Sequence, residues 1–274
     1  MKDKVFAAYA AIADREFGIQ LPPEKKTLLE TRLLRLLRPG GEAAAYGSET
    51  EFLHHLKNDR TGRLLRMFAE AITTHHTFFM READHFRYFR DAVLPWVEQV
   101  SPNGDIRTWC AACSTGQEAY TLAMLLEDYF GARPGHWEKT LLATDLSQSV
   151  LDFARQGNYL KNDVAALPLR WRTLYMGPGK DDAHLAVNAD LRRQVLYRRF
   201  NLITPVFPFR RPFHAIFCRN VMIYFDRKVR QQLARQFYDF LEPGGFLFVG
   251  HSEVVERQEG APFRHVMPSV YRKI

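Results

Sequence analysis

The chain has 274 residues, 46% of them hydrophobic, enough to bury a core in one large domain or in a small and a medium one. No apolar run approaches the roughly 18 residues of a membrane helix, and the charged N-terminus with Asp14 and Arg15 close behind is unlike a secretory leader, so a cytoplasmic protein without membrane insertion is expected. A net charge of +7 favours an acidic partner, which leaves open nucleic acid, an acidic protein surface or a merely solvated basic face.

The first part reads as helical. Phe6, Tyr9, Ile12 and Phe17 recur at helical spacing over Val5 to Phe17, and Pro22-Pro23 opens a second helix running to about Leu37. That second helix pairs a leucine stripe with Lys25, Lys26, Arg32, Arg35 and Arg38, which on composition alone is an ordinary solvated face. Pro39-Gly40-Gly41 ends it, and Thr50 to Asn58 and Arg63 to Ile72 supply two more short helices. The aromatic stretch Thr73 to Glu82 follows, then a helix from about His85 to Val100.

From Ile106 the pattern changes to alternating strands and helices, which predicts a parallel sheet covered on both faces. Ile106 to Ala112 reads as a buried strand and Gln117 to Phe130 as a helix closed by Gly131, with small residues in the turn between them. Thr140 to Thr144 ends in Asp145, with Ser147 as a helix N-cap. Val195 to Phe200 ends at Asn201, and His214 to Cys218 ends at Arg219-Asn220. Asp226 caps a helix whose Val229, Leu233, Phe237 and Leu241 face the core, with Pro243-Gly244-Gly245 as its stop. Phe246 to Gly250 and Val266 to Arg272 read as a closing antiparallel pair. Turn chemistry at Gly177 to Asp182 predicts a small β-hairpin insertion over Arg170 to Leu191.

The cysteines, Cys110, Cys113 and Cys218, are too few for a disulfide framework. Cys110-x-x-Cys113 nominally matches a redox motif, but small buried residues are the better reading. No Cys/His cluster has metal-ligand spacing, so no metal is expected. In an open α/β sheet ligands bind beyond the carboxyl ends of the strands, near the reversal of strand order. The polar residues at four such ends converge there, and Asp145, at the end of the second strand, is placed either to accept from ribose hydroxyls or to cap a helix beside Ser147.

Ser114 to Tyr120 (S-T-G-Q-E-A-Y), Ala143 to Asp145 (A-T-D), Phe200 to Leu202 (F-N-L), Ile216 to Asp226 (I-F-C-R-N-V-M-I-Y-F-D) and Gly250 to Glu253 (G-H-S-E) closely resemble the chemotaxis receptor glutamate methyltransferases. The resemblance extends over essentially the whole chain, including the helical N-terminal part. It implies a Rossmann-like α/β methyltransferase at residues 77–274, with the insertion as a small antiparallel β-subdomain and residues 1–76 as a helical, receptor-facing domain. It also implies S-adenosylmethionine as cofactor and glutamate side chains of the chemoreceptor cytoplasmic domain as substrate, for a monomeric enzyme.

Carried onto this sequence, the resemblance marks His75, Thr77, Arg81, Glu118, Asp145, Asn201, Leu202, Arg219 and Asn220 as cofactor positions. Asp145 would serve the ribose and Asn201-Leu202 the adenine, while Thr77 and Arg81 reach over the methionine end. Arg219, Tyr224 and Arg81 would act beside the transferable methyl group, and Lys25, Lys26, Arg32, Arg35 and Arg38 would meet the receptor's acidic helices. Two departures stand out: His75 replaces the family's usual asparagine, and Gln117-Glu118-Ala119-Tyr120 replaces E-E-P-Y. A nucleic-acid methyltransferase is disfavoured, because Arg219-Asn220-Val221-Met222 stands where an N-P-P-Y-type loop would hold a flipped base. A non-catalytic cofactor-binding regulator is the other alternative.

Overall fold

The computed structural model describes residues 1–274. Four helices form the N-terminal module: α1 (Asp3–Phe17), α2 (Lys26–Leu37), α3 (Glu49–Asn58) and α4 (Arg63–Ile72). Each buries an apolar stripe at helical spacing, such as Leu29, Leu33 and Leu37 of α2. Then α5 (Ala83–Tyr88), a π-helical turn (Phe89–Val93) and α6 (Leu94–Val100) run as one continuous element, close to the predicted span.

The α/β part follows as β1 (Thr108–Ala111), α7 (Gln117–Phe130), β2 (Leu141–Asp145) and α8 (Gln148–Gln156), then β3 (Asn158–Leu160), α9 (Lys161–Val164), α10 (Leu169–Tyr175), β4 (Met176–Pro178), β5 (His184–Val187) and α11 (Ala189–Gln194). It ends with β6 (Val195–Arg199), β7 (Phe213–Cys218), α12 (Arg227–Asp239), β8 (Leu241–Val249), β9 (Phe263–Met267) and β10 (Val270–Lys273). The main sheet has the order β6-β2-β1-β7-β8-β10-β9, parallel from β6 to β8 and antiparallel beyond. The chain moves outward from β1 through β2 to β6 and then restarts on the other side at β7, so strand order reverses between β1 and β7. Their register pairs Cys110 with Phe217 and Ala111 with Cys218, which sets the residues after Ala111 and after Cys218 side by side.

Alternation along β1 sends Trp109 to one face of the sheet and Cys110 to the other. Trp109 sits among Phe200, Phe207, Phe209, Phe213 and Phe237 and donates from its indole to Thr144 Oγ1 at 2.9 Å. Its core is continuous with the helical module, from Phe6 and Tyr9 through Phe17 and Ile19 to Phe225. The opposite face packs Phe217 flat on Phe248 beneath α5, α6 and α7.

Three local readings need correction. Pro243-Gly244-Gly245 does not stop α12, which ends at Asp239. It lies inside β8, where the pairing with β7 shifts register between Phe213 and Ala215 and absorbs the proline. Val266 to Arg272 is not one strand: Pro268 and Ser269, the latter at φ 60°, turn the chain, and β10 returns between β8 and β9. The insertion hairpin β4-β5 is present, but its sheet gains a third strand, β3, from outside the predicted span, too short for alternation to reveal.

Burial leaves two histidines uncharged. Desolvation pushes both His85 and His214 down to about 4, and His214 Nδ1 accepts the Arg107 amide at 3.1 Å, which requires the neutral ring. An unfolded histidine titrates near 6.5, so between pH 6.5 and 4 the unfolded chain binds more protons, and stability falls as pH falls. Denaturant unfolding at pH 5 and pH 7 should differ by on the order of 2 kcal/mol for each histidine, and His214→Gln should remove its share of that difference.

Candidate functional site

At the reversal between β1 and β7 a cleft encloses about 950 Å³ up to its open mouth. Every residue marked at the sequence level for cofactor or catalysis lines it: His75, Thr77, Arg81, Glu118, Asp145, Asn201, Leu202, Arg219, Asn220 and Tyr224. These come from five separated segments, and the strand ends converge as the topology requires.

Gly116 makes the first turn possible. It precedes α7 at φ 96°, and a Cβ there would lie 2.7 Å from Ala154 Cβ and 2.8 Å from the Tyr159 hydroxyl. Ala112 and Ser114 take φ of 61° and 50° in the same turn, Asn220 takes 57° after β7, and Met80 and Glu82 flank Arg81 at 61° and 55°. All but one of the non-glycine residues with positive φ therefore belong to segments that build the cleft, the pattern of a strained functional site.

Asp145 is buried at the end of β2. Its Oδ2 accepts the Ser114 amide at 2.8 Å and its Oδ1 the Ser147 amide at 3.0 Å. Burial pushes this carboxyl up, and the two amides pull it back. Each oxygen keeps acceptor capacity toward the cleft. Ser147 is the N-cap of α8, accepting from Val150, and Asp145 supports that helix start beside it through the Ser147 amide.

Arg219 departs most from its predicted role. Its side chain is wholly buried and bridges two carboxylates, Glu118 Oε2 at 2.9 Å and Glu82 Oε2 at 2.9 Å, while donating also to the Arg81 carbonyl. It is thus no free cation for a substrate carboxylate. Burial raises the Glu118 carboxyl against the pull of Arg219, whereas Arg219 and Asn220 outweigh burial at Glu82 and hold it down. Asn220 donates from Nδ2 to Glu82 Oε1 at 3.1 Å. Asn201 is likewise engaged, donating to the Glu16 carbonyl at 2.8 Å. Arg81 is different: half-buried at the mouth, it donates to the His76 carbonyl and has no carboxylate partner.

Sequence reasoning missed Glu253. Buried after β8, it accepts the amides of Asn220 (2.8 Å), Gly250 (2.5 Å) and Ile223 (3.2 Å), tying the two loops together. G-H-S-E was visible, but only the tertiary pairing of β7 with β8 discloses what the glutamate holds. Phe17 and Ile19 of the helical module also line the cleft, and the Gln20 amide donates to the Tyr224 carbonyl at 2.8 Å.

The basic residues of α2 separate. Lys25, Arg35 and Arg38 are exposed. Lys26 pairs with Asp3. Arg32 turns inward and donates to the carbonyls of Ile72 and Thr73 at 2.9 Å each and to Thr74 Oγ1, so it secures the cleft wall and is not part of the outward face. The three cysteines are buried thiols pushed up by desolvation. The absence of metal-ligand spacing in the sequence does not extend to space, where Glu82, His85 and His251 place donor atoms within 4.8 Å of one another. Both Glu82 oxygens are already engaged, and the adjoining guanidinium opposes a cation.

The family model for the CheR methyltransferase, SAM binding domain, matches residues 75–271. The chain belongs to this family. It is 37% identical to a chemotaxis protein methyltransferase of Borreliella burgdorferi over 96% of this chain and 91% of the relative, and 35% identical to one of Escherichia coli over 92% and 85%. A third, chemotaxis protein methyltransferase 2 of Pseudomonas aeruginosa, is 35% identical over 86% and 81%. S-adenosylmethionine is the cofactor, and the lining of the cleft fits it: apolar along Ile72, Leu146, Phe200 and Leu202, with a buried carboxylate at the end of β2.

Arg219→Ala leaves Glu82 and Glu118 unpaired in a buried place and should lower unfolding stability by about 3–5 kcal/mol in denaturant titrations. Adding Glu82→Gln should restore part of that loss; an equal or greater loss in the double variant contradicts the bridge.

Proposed function

We propose that this enzyme esterifies glutamate side chains on the helical cytoplasmic domain of chemoreceptors. Membership in a family of chemotaxis methyltransferases supports methylation in that setting, and an unpartnered arginine in the cleft supports a carboxylate as acceptor. A glutamate carboxylate, with a reference pKa near 4.3, is already anionic at neutral pH and needs no general base. Of the two histidines that line the cleft, His75 is lowered by burial and its Nε2 is paired with Thr73 Oγ1 at 2.9 Å.

The observation that carries the proposal is the division between two arginines. Arg219 is consumed by Glu118 and Glu82, which leaves Arg81 at the mouth as the cation able to orient an incoming carboxylate by a charge-assisted contact. Bound S-adenosylmethionine supplies a methyl group on a positively charged sulfur, which keeps the bonding pair as the carboxylate oxygen takes the methyl. The protein's part is alignment and exclusion of water. Asp145 would accept from the ribose, Asn201-Leu202 would border the adenine, and Glu118, Asn220 and Thr77 would frame the methionine end. Tyr224, held by Gln20 at its carbonyl, would pack beside the methyl group. Lys25, Arg35 and Arg38 face outward from the helix whose Arg32 grips the cleft wall, so an acidic receptor helix docked there lies next to the mouth.

Incubation with labelled S-adenosylmethionine and a receptor cytoplasmic domain should give methyl incorporation that alkali releases and that glutamate-to-alanine changes in the receptor abolish. Alkali-stable label contradicts the ester, and no label at all favours a non-catalytic regulator. Arg81→Ala and Tyr224→Phe should each lower kcat by about tenfold or more with little change in product affinity. Charge reversal at Arg35 and Arg38 should raise the receptor KM and flatten its dependence on salt, whereas an unchanged KM at low salt removes α2 from the docking surface.

A further inference from the structure

Glu70 lies in α4, outside the matched methyltransferase region, yet it makes a dense contact with the α/β domain. Its Oε1 accepts the amides of Gln148 (2.7 Å) and Ser149 (3.3 Å), and its Oε2 accepts the hydroxyls of Ser147 (2.5 Å) and Ser149 (2.6 Å). The first turn of α8 is therefore capped twice, by Ser147 from within and by a carboxylate from another part of the chain. Free amides and the positive end of the helix dipole favour an anion there.

This turn begins at Asp145. The Ser147 amide donates to Asp145 Oδ1, so the turn that Glu70 grips also sets the carboxylate's orientation. Glu70 is itself anchored, because Arg32 holds the carbonyls of Ala71, Ile72 and Thr73 that follow it. We propose that Glu70 is a positioning residue for the cofactor site: it locks the Asp145–Ser147 turn so that Asp145 presents its open acceptor positions to the ribose. The cofactor grip is then completed by the helical module. The inference rests on Asp145 as the ribose acceptor.

Calorimetric binding of S-adenosylhomocysteine to the whole protein, with the thermal midpoint of the unliganded protein in parallel, tests it. Glu70→Ala should weaken binding about tenfold, a loss corresponding to about 1.4 kcal/mol. Asp145→Ala should weaken it at least as much, and the double variant should bind no worse than Asp145→Ala alone, since Glu70 acts through Asp145. A lowered midpoint with unchanged affinity, or penalties that add in the double variant, overturns the role of Glu70. Unchanged affinity in Asp145→Ala overturns the ribose assignment instead. Should Glu70→Ala fail to fold, Ser149→Ala carries the test: binding about threefold weaker is expected, and unchanged affinity overturns the inference.

Discussion

The buried guanidinium of Arg219 is the interaction on which the cleft depends. It stands at the end of β7 and reaches one carboxylate on α7 and one before α5, joining elements that the sheet alone leaves apart. A charge removed from water in this way costs several kcal/mol unless it is paired, and here two carboxylates, a backbone carbonyl and the face of Phe86 at 5.2 Å compensate it. Because the pairing consumes the charge, Arg219 shapes the site, and Arg81 is left as the arginine of the cleft without a carboxylate partner. Glu253 does the same work one strand further, holding the backbone of Asn220 in its left-handed conformation by accepting its amide.

These buried carboxylates explain how so many strained residues coexist at one place. Positive φ at Ala112, Ser114, Asn220, Met80 and Glu82 costs free energy at each position, and the surrounding hydrogen bonds over-determine the backbone there. Ser114 illustrates the balance: its amide serves Asp145 and its hydroxyl serves the His75 carbonyl, so the turn after β1 and the segment between the modules fix each other. The two arginines called alike from sequence, Arg219 and Arg81, consequently divide into a scaffold and a free cation.

The helical module is part of the site. One continuous core runs from Phe6 in α1 to Phe237 on α12, and Phe17 and Ile19 reach the cleft itself. Arg32 and Glu70 then place polar contacts at the same seam.

Periodicity and turn chemistry alone determined the N-terminal helices, the central parallel strands with the ends that converge, and the span of α7 to the residue, because these rest on local apolar spacing and on Gly116 and Gly131; β3, α9 to α11 and the turn between β9 and β10 were too short to show. The motif block from Ile216 to Asp226 determined the family, since its residues are specific in type and order. Only the folded chain decided which charges are free. Arg32 and Arg35 lie on the same basic helix, and nothing local tells that one faces the carbonyls of Ile72 and Thr73 while the other faces water. Glu70, Glu82 and Glu253 carry no local signature either, because their partners stand 77, 137 and 33 residues away and meet them only through packing. Charge pairing over such distances in sequence is a property of the tertiary structure, and here it separates the residues that build the site from those left to act in it.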